Sequence, residues 1–197
     1  MAARMGRLMI GIAVFEIGNF ATTLLILRAS QLFMAGYGRI VATQLALLLY
    51  VAYNVAATVI SVPAGRHGDL YSPARVLAAG AVLLAAGYIW FAAGSHHPVV
   101  LLPAFVLAGL GIGCGETAGS AAIASLAPHH FRGSAFGLLA TVQSAGNLLA
   151  SSVAGLLWSG VSPEAAVIFL AAAMVLTVPV ILATLRKSAT PSPAEVA

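Results

Sequence analysis

Six long apolar stretches dominate this chain and decide what it can fold into. They cover residues 8–27, 40–62, 76–93, 99–126, 136–157 and 165–185 of the 197. A helix needs about 20 mostly apolar residues to cross the hydrocarbon core of a bilayer. Strands of a membrane barrel would be shorter and would alternate in polarity, so these stretches predict helices. We therefore expect an all-α membrane protein, a bundle of six transmembrane helices in one domain over residues 1–187.

The composition places the whole chain, rather than one segment of it, in a lipid bilayer. Hydrophobic residues make up 61% of the chain and charged residues 7%, and the mean hydropathy is +1.02. Residues 188–197 are different, because they contain two prolines and little to bury. We expect them to form a disordered cytoplasmic tail.

The net charge of +4 reports topology rather than a nucleic-acid partner. Seven of the nine Lys and Arg fall on one side of a six-span arrangement: Arg4, Arg7, Arg66, Arg75, Arg132, Arg186 and Lys187. By the positive-inside rule, both termini and the even-numbered loops face the cytoplasm. We expect a multi-pass integral protein of the cell membrane, specifically the inner membrane of a bacterium, with no nucleic-acid partner.

Polar side chains are distributed unevenly over the six predicted helices. The first, second, fourth and fifth helices each carry a polar stripe, built from residues such as Glu16, Asn19 and Thr23 at helical spacing. The third and sixth helices carry almost none. Polar residues in membrane helices can simply join neighbouring helices, at ~0.6 kcal/mol each, or they can line a shared cavity. Four stripes favour a cavity, with the third and sixth helices facing lipid.

Two carboxylates, Glu16 and Glu116, lie within the apolar stretches. A carboxylate at the bilayer centre costs at least ~2.5–3.5 kcal/mol, so by default it marks a proton relay, an ion site or a substrate counter-ion. The helical rise puts Glu16 about 12 Å and Glu116 about 15 Å from the cytoplasmic surface, nearly at one level. The predicted proton and substrate cavity comprises Glu16, Asn19, Tyr50, Asn54, Glu116, Thr117, Gln143 and Asn147.

The fourth helix contains a run of glycines, with Gly111, Gly115 and Gly119 at four-residue spacing. Small residues at this spacing let two helix backbones approach closely. The same glycines also weaken the helix and would permit bending next to Glu116. Close packing is the favoured interpretation, and a hinge is the alternative.

Enzymatic and metal chemistry find little support in the residues. No G-x-S-x-G nucleophile motif, phosphate loop or dinucleotide fingerprint occurs, which argues against a protease, direct ATP coupling and a cofactor. All five histidines fall in predicted loops, and their adjacent pairs lack the spacing of metal ligands: His67, His96, His97, His129 and His130. Cys114 is the single cysteine, and we expect it to be a packing residue.

Two loops carry a family resemblance. In the second loop, Gly65 is followed four residues later by Asp69, an acceptor for helix N–H groups, and then by Arg75. This resembles the signature loop of the major facilitator superfamily, although Leu70 and Ser72 replace a basic residue and a glycine. A second region is more specific: Glu116-Thr117, Ala124-Ser125-Leu126-Ala127-Pro128 and Arg132-Gly133 resemble the link between the tenth and eleventh helices of bacterial members. The opening, Gly18-Asn19-Phe20, is similar to their seventh helix.

The resemblance covers nearly the whole chain, as the C-terminal six-helix half of a twelve-helix transporter. It implies secondary active transport of a small solute by alternating access, with the solute held between two halves. We expect coupling to protons, and a conformational switch formed by Gly65, Asp69, Arg75, Arg132 and Gly133. The expected partners are the lipid bilayer, the solute, and either a second six-helix half or a second copy of the chain. The alternative is a truncated, non-transporting membrane protein that acts as a partner or scaffold subunit.

Overall fold

A computed structural model describes residues 2–19 and 22–189, and within these ranges the chain is helical apart from short connections. The helices are α1 (Ala2–Ile17), α2 (Thr22–Leu70), α3 (Pro73–Ala92), α4 (Pro98–Leu126), α5 (Arg132–Gly160) and α6 (Pro163–Ala189), with a 3-10 turn over His129–Phe131. The predicted all-α fold is confirmed for this part of the chain. The predicted tail begins inside α6, and from residue 190 onward it lies outside the described residues.

Among the described residues, four ranges are long and apolar enough to cross a membrane: Met9–Leu70, which takes in α1 and α2, Pro73–Ala92, Pro98–Ser125 and Pro163–Ala183. The first range has 62 residues, about three times the ~20 residues that one crossing needs. Helix α5 has 29 residues but is not among these ranges. The chain is therefore a membrane helical bundle, while six crossings and the orientation of the termini stay predictions.

The first predicted span, residues 8–27, is not one continuous helix. Helix α1 ends at Ile17 and α2 begins at Thr22. The N–H groups of Gly18 and Asn19 donate to carbonyls three residues earlier, at 3.1 and 3.0 Å, as in a tightened last turn. Hydropathy does not reveal such a break, since residues 8–17 before it and residues 24–27 after it are both mostly apolar.

Residues 28–39, between the first two predicted spans, were expected to form a loop, but most of them are helical. Helix α2 continues as far as Gly38, whose φ of 74° and ψ of 163° interrupt it. Glycine adopts positive φ without a steric penalty, so the chain can change direction there. The preceding residues are mostly good helix formers, and Phe33 and Ala29 are fully buried. Gly38 thus divides α2 into an N-terminal arm (22–37) and a C-terminal arm (39–70).

Helix α4 lies at the centre of the packing, against both α2 and α3. Gly109 and Gly113 face α2. A Cβ added to Gly109 would lie 2.2 Å from the backbone carbonyl oxygen of Tyr53, and one added to Gly113 would lie 2.5 Å from that of Ala57. Gly111 faces α3, where an added Cβ would lie 2.7 Å from the nearest backbone nitrogen. Any side chain at these positions would separate the helices, so the predicted close packing of the glycine run is confirmed.

Helices α1, α5 and α6 contact one another, and α6 also packs on α3. Thr177 of α6 is buried, and its hydroxyl lies within hydrogen-bond distance of the carbonyls of Val14 in α1 (3.3 Å) and Ala173 (2.9 Å). Gly18 meets Met174 of α6, whose methyl would be 2.6 Å from an added Cβ. The Thr177 hydroxyl therefore joins α6 to α1.

Candidate functional site

Two adjoining cavities, of about 540 and 750 Å³, open on one face of the bundle. Both are lined by Asn19, Glu116 and Asn147, so they form one continuous depression, which we name the polar groove. The first cavity is completed by Thr22, Thr23, Ile26, Tyr50, Tyr53 and Ile112. The second is completed by Glu16, Ser120, Gln143, Ser144, Leu148 and Ser151. Helices α3 and α6 supply none of these residues.

Glu16 is held inside the bundle at the edge of the groove, with 4% of its surface exposed. The Asn19 side-chain amide donates to one carboxylate oxygen at 2.9 Å, and the Gln143 amide donates to the other at 3.3 Å. Helix α5 reaches this point because residue 146 is glycine: an added Cβ would lie 2.5 Å from the Glu16 Cβ. Both oxygens of Glu16 are therefore engaged, one of them by a helix distant in sequence.

Glu116 shares the groove but lies in different surroundings. It is exposed, and it lines both cavities. Among the described residues, no side chain forms a hydrogen bond or ion pair with its carboxylate. The preceding Gly115 packs on Phe15 of α1, where a Cβ would lie 2.6 Å from the ring. This contact sets Glu116 beside α1 with its carboxylate open to the groove.

Amide and hydroxyl groups connect the elements around the break between α1 and α2. The Asn147 side-chain amide of α5 donates to the backbone carbonyl of Asn19 at 3.1 Å. A helix end leaves carbonyls without intrahelical partners, so this bond satisfies one of them. On the other side, the Thr22 hydroxyl lies 3.5 Å from the Tyr53 hydroxyl, linking the two arms of α2. The groove therefore contains both donors and acceptors for a small solute.

Six of the eight residues predicted for the cavity line the groove: Glu16, Asn19, Tyr50, Glu116, Gln143 and Asn147. Two do not. Asn54 is exposed, and its amide donates to the Tyr50 carbonyl of its own helix at 2.8 Å. Thr117 lies at the contact between α4 and α2, where an added Cβ on Gly65 would be 3.6 Å from its methyl group.

Several lining residues were not predicted from the sequence: Thr22, Ile26, Tyr53, Ile112, Ser144 and Leu148. Tyr53 was the most accessible to prediction, because it follows Tyr50 by three residues and such residues share a helix face. Thr22 and Ile26 follow a helix break that hydropathy does not reveal. Ile112 and Leu148 carry no polar signal at all.

The residues predicted for the switch lie at the ends of helices. Gly65 packs α2 against α4, and Gly133 has open space around it. Asp69 is exposed in the last turn of α2. The N-cap of α3 is instead Ser72, whose side chain accepts a hydrogen bond from the Ala74 N–H at 3.3 Å. Ser72 therefore caps α3, and the role of Asp69 as an acceptor for helix N–H groups stays a prediction.

The basic residues of the switch occupy two different helix ends. Arg132 begins α5, and its guanidinium donates to the Ala124 carbonyl in the last turn of α4 at 2.9 Å. Cations at helix C-termini satisfy free carbonyls and complement the helix dipole. Arg75 is exposed in the first turn of α3. Arg132 thus joins two helices, whereas Arg75 is available to an external group.

Comparison with known proteins adds a family to this geometry. The family model for the Major Facilitator Superfamily matches residues 8–197. An uncharacterized MFS-type transporter from Methanocaldococcus jannaschii is 31% identical over 159 residues, covering 77% of this chain and 37% of the relative. The chain thus corresponds to well under half of that relative's length. Because the family model matches almost the entire chain, the protein belongs to the major facilitator superfamily.

Proposed function

We propose that the chain is part of a secondary active transporter that moves a small solute by alternating access, coupled to protons. One observation carries this proposal. Polar side chains from α1, α2, α4 and α5 converge on a single groove with two carboxylates, while α3 and α6 contribute nothing to it. Side chains that merely joined helices would be buried at contacts, as Thr177 is. Family membership supports transport rather than enzymatic catalysis.

Glu116 is the proposed proton carrier, and Glu16 is the second candidate. A carrier must exchange its proton with solute or water, which requires access to the groove. Glu116 has that access, whereas Glu16 is 4% exposed and bonded through both oxygens. We assign Glu16 to holding α1, the break and α5 together around the groove.

The proposal includes a topology and a partner. The chain crosses the cell membrane six times with both termini in the cytoplasm, as the distribution of basic residues indicates. A second six-helix unit covers the polar groove, either as another half or as a second copy of this chain. The open face of the groove supports this, since a solute held only by one wall would remain in contact with water or lipid.

Proton coupling is tested by reconstituting the protein in liposomes that contain a pH-sensitive dye and screening for solutes that drive proton movement. Glu116→Gln should lower solute-driven proton flux about 100-fold, the lower range for a positioned proton-transfer group. Glu164→Gln is the matched control, because it also removes one carboxylate but lies outside the groove. Normal transport by Glu116→Gln, with unchanged pH dependence, would refute the coupling role.

The partner is tested separately, by comparing the chain alone with the chain co-expressed with a second six-helix half. Transport that appears only in the second case identifies a half-transporter. Transport by the chain alone, as a cross-linkable dimer, identifies two copies. Absence of transport in both cases, with the helical fold intact, would support the alternative role as a non-transporting partner subunit.

A further inference from the structure

Another cavity, of about 410 Å³, lies between α2 and α3 and shares no lining residue with the two cavities of the polar groove. It is lined by Ile60, Pro63, Ala64, His67, Tyr71, Arg75, Val76, Ala79, Leu83 and Cys114. Helices α2 and α3 both pack extensively on α4 but contact one another only slightly. Cys114 of α4, which is buried, lies at the bottom of the space left between them. We name it the α2–α3 cleft.

Polarity changes along the length of the cleft. Tyr71 and Arg75 lie beside the turn that joins α2 to α3, and His67 lies one helical turn before it. Ile60 is ten residues before the end of α2, and Leu83 is ten residues after the start of α3. At 1.5 Å per residue, these apolar walls extend about 15 Å below the turn. The cleft thus has a polar end beside the turn and an apolar end deeper between the helices, which the predicted spans 40–62 and 76–93 put at the membrane surface and in the hydrocarbon, respectively.

The polar end offers hydrogen-bond donors and one permanent positive charge. Arg75 is the charged residue among the described residues that line the cleft, and its side chain is exposed. The Nδ1 atom of His67 lies 3.1 Å from the Pro63 carbonyl, so the donors at this end that suit a ligand are the Arg75 guanidinium and the Tyr71 hydroxyl. Tyr71 stands beside His67, with their rings 5.8 Å apart. A guanidinium binds phosphate through two parallel hydrogen bonds, which suits an anionic group at this end.

We propose that the α2–α3 cleft binds one anionic phospholipid, whose phosphate contacts Arg75 and whose acyl chain lies against Ile60, Val76 and Leu83. The charge selects anionic over zwitterionic lipid, and the apolar walls select an acyl chain over a free anion. The cleft opens between helices that are long and apolar enough to span a bilayer, so lipid reaches it directly. This inference requires only a membrane location, and it holds whether or not the chain transports a solute.

Native mass spectrometry of the full chain tests this proposal. The protein is purified in detergent and mixed with phosphatidylglycerol or phosphatidylcholine of the same acyl composition. We expect one phosphatidylglycerol to be retained with an occupancy about fivefold above phosphatidylcholine, as expected for one basic residue at a membrane surface. Arg75→Gln should abolish this preference. The matched control, Arg66→Gln, removes an exposed charge near the end of α2 but outside the cleft, and should preserve it.

The acyl-chain part of the proposal has its own pair of variants. Ala79→Trp fills the cleft and should reduce retained phosphatidylglycerol about fourfold for each acyl CH₂ group that it displaces from the apolar walls, with Arg75 intact. Val82→Trp adds the same side chain on an exposed part of α3 outside the cleft and should not. Equal retention of the two lipids, equal effects of Arg75→Gln and Arg66→Gln, or full competition by glycerol phosphate would each overturn the proposal. The last result would identify a site for small anions only.

Discussion

The two membrane-embedded carboxylates lie on the same groove and differ in almost every other respect. Glu16 is 4% exposed, and both its oxygens accept side-chain hydrogen bonds. Glu116 is exposed, lines both cavities, and has no hydrogen-bonding or ionic partner among the described residues. The difference indicates that an acid within a bilayer can serve two purposes. One acid organises the helices, and the other remains free for a proton or a solute.

Their positions along the chain explain the contrast. Glu16 is in the last turn of α1, where the break brings the Asn19 amide within 2.9 Å of its carboxylate. Gly146 then lets α5 approach and supply Gln143 from the other side. Glu116 lies in the middle of a continuous helix, between glycines that carry no donors. The predictions below test this contrast, in order of decreasing expected effect.

Replacing Glu16 with leucine should destabilise the protein more than replacing Glu116 with leucine. Glu16→Leu leaves the half-buried amides of Asn19 and Gln143 without their acceptor, at a cost of at most about 1–3 kcal/mol for each unpaired group. Glu116→Leu removes an exposed carboxylate and leaves no donor unpaired. Thermal unfolding in detergent, followed by tryptophan fluorescence, gives both midpoints. Equal unfolding midpoints for the two variants would contradict a structural role of Glu16.

Gly146→Ala should separate α5 from α1 at the groove. Its Cβ would lie 2.5 Å from the Glu16 Cβ, so a backbone shift is required, at about 1–3 kcal/mol for overpacking. Gly155→Ala is the control on the same helix, because an added Cβ there meets nothing within 4 Å. The same unfolding assay should show a lower midpoint for the first variant alone. A destabilised Gly155→Ala would indicate an effect of helix composition instead.

Gln143→Ala removes one of the two donors to Glu16 and should cost less than the loss of Glu16 itself. Hydrogen bonds between membrane helices contribute ~0.6 kcal/mol on average, since the separated helices find other partners. Ser144→Ala, on the neighbouring residue of the groove, provides the control. A double-mutant cycle with Glu16→Leu measures the coupling between the two side chains. Additive effects would show that the 3.3 Å contact contributes nothing.

Asn54→Ala should have the smallest effect. The side chain is exposed and bonded to its own helix, so stability should change by less than about 0.5 kcal/mol. Because Asn54 does not line the groove, transport should also be unchanged, whereas Asn147→Ala should impair it. Both are read in the proteoliposome assay. A transport defect in Asn54→Ala would indicate that Asn54 does take part in the transport site.

Much of the fold was predictable, and the failures have a common cause. The apolar stretches predicted helices because a bilayer admits little else, and the glycines of α4 predicted close packing because nothing else fits between two backbones. The break after Ile17 and the helical course of residues 28–37 were missed. Hydropathy reports where a chain is apolar, but it does not report where the backbone leaves a helix.

The candidate site was predictable in its membership but not in its organisation. Helical spacing selected Glu16, Glu116, Gln143 and Asn147, which line one groove in the structure, while their roles stay predictions. It also selected Asn54, because spacing along a helix does not distinguish two adjacent faces. Tyr53, on the adjacent face, lines the groove instead.

The sequence by itself determined that this protein belongs in a lipid bilayer, and it determined the family. Apolar stretches of membrane length, basic residues on one side and two loop motifs are local properties, and each can be identified without knowing any neighbour. Only the tertiary structure decided which carboxylate is held and which is open. That distinction depends on Gln143, 127 residues away from Glu16 along the chain, and on a glycine that lets its helix approach. Burial and hydrogen bonding arise between helices, so no single stretch of sequence specifies them.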